Sequence, residues 1–211
     1  VSLVFPDRES LTDLGSYAAR AKVLDDEGAM RLQASGTTVA AYVGILAGRG
    51  LMGEGAVLGL RVMALAEPVD LDVTLPLAAV TDRTARPSPH SGPVEFVLPP
   101  VTVNPVWAAL APPRSGWEPV AEVAADVVNS VAREGISEVA LGAPEGSGAA
   151  AVATLRQRVW TTMSRTDPAL PAGLALAAYG LGFVVEGEPL RLYAHGRWTR
   201  LSSSVGHALM R

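Results

Sequence analysis

The chain has no cysteine in its 211 residues. That excludes disulfides, thiol nucleophiles, cysteine zinc sites and iron–sulfur ligation, and it suits a reducing cytoplasm. Aromatic residues make up only 5% although 49% of the chain is apolar, so the core must be built mainly from Ala, Val and Leu. Lysine is almost missing too: sixteen arginines stand against the single Lys22. With abundant Ala and Gly, that bias reflects GC-rich coding, so arginine content by itself argues nothing about nucleic acid. A net charge of −4 makes a nucleic-acid partner still less expected.

Long apolar runs are also scarce. Ala169 to Val185 is uncharged but is broken by Pro171, Gly173, Gly180 and Gly182. A membrane span wants about 20 apolar residues, so the run reads as a buried helix followed by a strand, and no membrane association is expected. The first residues, VSLVFPDRES, carry acid by Asp7, which does not fit a secretory signal. A cytoplasmic location is the expectation.

What is present reads as α+β. Ser10 and Asp13 have capping-box spacing ahead of a helix over 11–23, with Leu11, Leu14, Ala18 and Ala21 on one face. Met30, Leu32 and Ala34 alternate with polar residues as a strand. The runs 37–47 and 56–66 lack a polar face and read as central strands. Leu71, Val73 and Leu75 make another, and Pro76 opens a short helix to about Ala85. Val120, Val123, Val127 and Val131 predict a helix ending at Gly135, followed by helices near 148–163 and 171–180. Leu190 to Ser203 reads as a hairpin turning at His195-Gly196. The expected fold is therefore a largely antiparallel sheet packed by three or four helices. It is read as a single domain, 1–211: an N-terminal half 1–86, a proline-rich crossing segment 87–119 holding nine of the sixteen prolines, and a C-terminal half 120–211.

Chemistry is sparse. Gly48, Gly50 and Gly53 fit G-x-G-x-x-G, a dinucleotide fingerprint when a helix follows. Here a strand-like run follows instead, so the loop reads as a turn. Asp70 and Asp72 share a strand face, with Asp82 nearby, but read as solvated carboxylates, and no metal site or cofactor is expected. Gly142 to Gly148 is better placed, because a helix starts at its end, where free N–H groups bind anions. That stretch resembles part of the acetyl-coenzyme A loop of the GNAT acyltransferases at Gly146 and Gly148, although Ala143 stands where Gln or Arg belongs. Ser147 is the residue placed to cap the helix. Residues 1–145 carry net charge −8 and residues 146–211 carry net +4. Tyr193, Arg197, Trp198 and Arg200 thus form a basic, aromatic hairpin. No Gly-x-Ser-x-Gly elbow or His-Glu-x-x-His pair occurs.

One resemblance covers 117–211, with a looser likeness over 37–83. Gly135-Ile136, Glu138, Leu155-Arg156, Val159-Trp160, Pro171-Ala-Gly173, Leu181-Gly-Phe183, Trp198-Thr-Arg200-Leu201 and Gly206-His207 resemble a family of conserved actinobacterial proteins of unassigned function. The resemblance implies a bacterial cytosolic protein and brings no catalytic residues with it. Two functional readings stand. The first is a non-enzymatic binding or protein-interaction module, with a second copy or another protein as partner. The alternative is an acyltransferase-like or other enzyme that binds a phosphorylated ligand (coenzyme A or a nucleotide) at 142–148. The candidate ligand-binding residues are Gly146, Ser147, Gly148, Arg156, Trp198, Arg200 and His207.

Overall fold

The computed structural model describes residues 1–50, 52–85, 92–143, 146 and 148–211. Leu51, the 86–91 stretch with His90, Pro144, Glu145 and the candidate Ser147 lie outside the described residues. The architecture is α+β, with ten strands and five helices among the described residues. The chain forms two compact units, one of residues 1–45 and 60–109, the other of 46–59 and 110–211. The change at 109/110 falls inside the proline-rich segment.

In the first unit, β1 (Ser2–Phe5) leads into α1 (Arg8–Leu24), then β2 (Ala29–Ser35) and β3 (Thr38–Leu46). β4 (Val57–Ala64) begins in the second unit's segment and ends in the first, followed by β5 (Leu71–Pro76), α2 (Leu77–Thr84) and β6 (Val94–Val97). The strand order is β5-β2-β3-β4, and β1 pairs with β6 as a separate ribbon. β2 is antiparallel to both β3 and β5. The alternation seen in the sequence is kept: Met30, Leu32 and Ala34 are buried while Arg31 and Gln33 face outward. On that outer face Arg31 grips Asp72 with two hydrogen bonds, Nε to Oδ1 at 2.8 Å and Nη2 to Oδ2 at 2.6 Å, and Gln33 donates to Oδ2 at 2.9 Å. Asp72 is thus a cross-strand ion-pair partner. Among the described residues no three His, Asp or Glu side chains gather to hold a metal ion.

Three local expectations are corrected here. The N-cap of α1 is Asp7, whose carboxylate accepts the Ser10 N–H at 2.8 Å, so the helix starts a turn before the box read at Ser10 and Asp13. Asp13 instead pairs with Arg61. Val62 and Ala64, both exposed, give β4 the outer face that its sequence did not suggest.

The second unit contains β7 (Glu118–Val123), α3 (Ala125–Gly142), α4 (Ala149–Thr161), α5 (Ala172–Gly180), β8 (Leu190–His195), β9 (Trp198–Ser202) and β10 (His207–Met210). Its strands run in the order β10-β9-β8-β7, and the β10–β9, β9–β8 and β8–β7 pairings are antiparallel. α5 packs against α3, α4, β9 and β10, and its residues Ala172 to Ala178 are all buried. A helix without a polar side must lie inside. The strand expected directly after it is absent; Gly182 turns the chain at φ 73°, and pairing resumes only at Leu190.

The valine periodicity at 120–131 misled in two ways. Val120 and Val123 belong to strand β7, and the helix starts at Ala125. It also runs through Gly135 rather than stopping there. The 48–55 glycine loop joins β3 to β4, with Arg49 and Glu54 exchanging backbone hydrogen bonds of 2.8 and 2.9 Å. Gly48, Gly50, Gly53 and Gly55 all have φ between 65° and 77°. With a strand on each side, the loop meets no helix N-terminus.

Candidate functional site

The β8–β9 hairpin turns through Gly196 and Arg197, with His195 opposite Trp198 and Gly196 at φ 56°. Residues paired across antiparallel strands share a face. Tyr193 opposite Arg200, and Ser202 opposite both Arg191 and His207, therefore define one register of the second unit's sheet. The alternate register (Leu190, Leu192, Leu201 and Ala208) is buried and apolar.

Trp117, just ahead of β7, completes the polar register. Its indole N–H donates to the Pro113 carbonyl at 3.0 Å, which fixes the ring. The Arg200 guanidinium carbon then lies 4.6 Å from the Trp117 ring centroid and 4.5 Å from that of Tyr193. A flat cation thus lies over two aromatic rings, an arrangement that suits arginine better than lysine. Beside it, His195 Nδ1–H donates to the Gly116 carbonyl at 2.7 Å, and the imidazole lies 5.9 Å from the Trp117 ring.

Electrostatics separate the two arginines of this register. Arg191 hydrogen-bonds Tyr193 and Glu122, and both hold its charged form more firmly than usual. Arg200 has no carboxylate partner among the described residues, and its Nε is buried without a hydrogen bond. Burial lowers its pKa, with Tyr193 opposing. His207 is held below the ordinary imidazole value, first by burial and then by the charge of Arg200. Its Nδ1 is 2.9 Å from Ser202 Oγ. A Ser–His pair recruited for nucleophilic catalysis needs a partner that stabilises imidazolium. Here the neighbour is a cation and Ser202 is buried, so the pair is wired against that use.

The structure thus brings Arg200 and His207 together. Trp198 lies on the same face of β9, but it is buried beneath Arg211, whose guanidinium carbon is 5.8 Å from its ring. The remaining candidates lie elsewhere. Gly146 is exposed at φ 88°, Gly148 is the N-cap position of α4 and Arg156 lies along that helix. Gly148 rather than Ser147 occupies the cap, so no side chain caps the helix. Trp117 and His195 were not singled out from sequence as site residues. Trp117 could be found only once 118–123 is recognised as a strand beside β8.

Residues 1–109 match the family described as "Domain of unknown function (DUF8010)", and the chain belongs to it. Residues 112–211 match a second, "Domain of unknown function (DUF8185)". The boundary between the two matches coincides with the change of compact unit at 109/110. No curated protein matches the chain. Among solved structures it is similar to the DNA polymerase sliding clamp from Bacillus subtilis, with TM-score 0.50 and 12% identity over all of this chain and 63% of that one. At that identity the likeness is one of fold, and the chain spans less than two thirds of the clamp chain. Among the described residues no helix is long and apolar enough to cross a membrane.

Proposed function

We propose that the protein is a non-enzymatic binding module that uses the polar register of its C-terminal sheet to recognise an anionic group on a protein partner. One observation carries the reading. Arg200 lies over the rings of both Trp117 and Tyr193, has no carboxylate of its own among the described residues, and keeps a buried Nε unpaired. A guanidinium preorganised in this way loses little freedom when it meets a carboxylate. The net +4 of residues 146–211 draws the same class of partner. A sheet-built fold similar to a clamp is compatible with an interaction role, and the cysteine-free composition with its GC-rich coding supports reading it as an actinobacterial cytosolic protein.

The enzymatic alternative, with a phosphorylated ligand at 142–148, is supported by the acyltransferase-loop likeness at Gly146 and Gly148 and by the uncapped start of α4 at Gly148. The residues that would work with it, Gly146, Gly148 and Arg156, are not part of the Arg200 register.

The test is a titration with a polyglutamate peptide, read by tryptophan fluorescence, since Trp117 covers the slot. Binding should weaken with salt and fall at least about tenfold in Arg200→Gln, the loss of one charge-assisted contact. Equal binding by the variant, or no binding at low salt, defeats the reading.

A further inference from the structure

The carboxylates of the chain fall into two groups. Asp72, Asp13, Glu122 and Glu138 are each paired with an arginine of the same chain. Asp25, Asp26 and Glu27 are not. They are the only adjacent acidic residues in the sequence, they are all exposed, and no ion pair engages them among the described residues. They sit on the turn from α1 to β2, which is held compact by the Gly28 N–H donating to the Asp25 carbonyl at 3.1 Å. Val23, 87% exposed, stands beside them.

We propose that this acidic turn of one copy of the chain docks on the Trp117–Arg200–Tyr193 slot of another. The inference rests on reading Arg200 as an anion site and names the anion: a carboxylate of Asp25, Asp26 or Glu27, in a second copy. Three arguments carry it. The charge segregation makes the chain complementary to itself, acidic over 1–145 and basic over 146–211. The slot presents one part-buried cation without a carboxylate partner among the described residues, which matches a single carboxylate; a nucleic-acid backbone would need several cations along its track. The turn also pairs its charge with an exposed aliphatic side chain, Val23, suited to the rim of an indole ring. The two surfaces are different, so the contact is head-to-tail and propagates to a ring or a linear chain.

The experiment uses the full chain and sedimentation or light scattering at low salt and at ~1 M salt, where surface pairs are screened. Two variants are prepared: a slot variant, Arg200→Gln, and a turn variant, Asp25→Asn with Asp26→Asn and Glu27→Gln. Circular dichroism checks their folding, and Arg200→Lys serves as a second slot variant that keeps the charge but loses the planar fork. Expected is salt-sensitive self-association of the wild type and monomers for each variant alone. Mixing the two should give a one-to-one dimer and nothing larger, because one intact slot and one intact turn remain. A wild type that stays monomeric while Arg200 still governs polyglutamate binding overturns this inference and leaves the anion-site reading standing. Loss of polyglutamate binding by the wild type removes both. Self-association unchanged in the turn variant overturns the proposed contact, whatever else binds the slot.

Discussion

Gly135 lies against the ring of Trp160: a β-carbon at Gly135 would stand 2.6 Å from Trp160 Cη2, well inside contact distance. The glycine sits in the middle of α3, fully buried, so that α4 can lay its tryptophan across the helix. Gly135→Ala should therefore destabilise the protein by about 1–3 kcal/mol through overpacking, against the gain in helix propensity that an exposed site would show. Urea unfolding reads the sign. A stabilised variant would mean that the two helices do not pack as described.

The Trp117–Arg200 stack should be measurable as a coupling energy. A double-mutant cycle of Trp117→Leu and Arg200→Met is expected to give about 0.5–2 kcal/mol. Additive single effects would show that the ring and the cation do not interact in solution.

His207 makes acid stability predictable in sign. Its folded pKa lies below the ordinary value of 6.5 because burial and Arg200 disfavour the imidazolium. Below pH 6.5 the unfolded chain therefore binds a proton that the folded one resists. The group's contribution to stability falls as pH drops through the unfolded value toward the folded one. His207→Gln should flatten the pH dependence of the melting temperature in that window. An NMR titration of the wild type should place the midpoint below 6.5, and a midpoint above it would contradict the packing described.

Asp7 behaves in the opposite sense. Its pKa is lowered by the Ser10 hydrogen bonds, so its capping contribution is complete above the usual carboxylate value of 3.8 and is lost as pH falls through the lower, folded value. Asp7→Ala should lower the melting temperature at neutral pH, whereas Asp7→Asn should keep most of the cap and lose the acid sensitivity. Equal melting temperatures for wild type and Asp7→Ala at neutral pH would remove the capping role.

These residues also mark how far the chain could be read before its fold was known. Regular alternation and helical spacing are local, so β2, β5, α1, α2, α4 and α5 could be placed from the residues alone. The final hairpin was visible for the same reason, and with it Arg200, Tyr193 and Trp198 as a basic aromatic group. Periodicity failed at 118–131 because valines spaced three and four apart fit a helix whether or not a strand interrupts them. There Val123 pairs with Leu190 of β8 and Val120 stands at a register shift of the same strand, since a sheet edge rewards extended backbone and valine suits it.

Composition and local pattern were enough to establish a cysteine-free α+β chain with an acidic and a basic part, and to make its glycine loop a turn between strands. They could not say that Trp117 meets Arg200 across 83 positions of sequence, that Arg191 is neutralised while Arg200 is not, or that Gly135 is a seat for Trp160. Those are properties of partners brought together by strand order and helix packing. Stacking, ion pairing and burial act over a few ångströms in space, and separation along the chain leaves no trace of them.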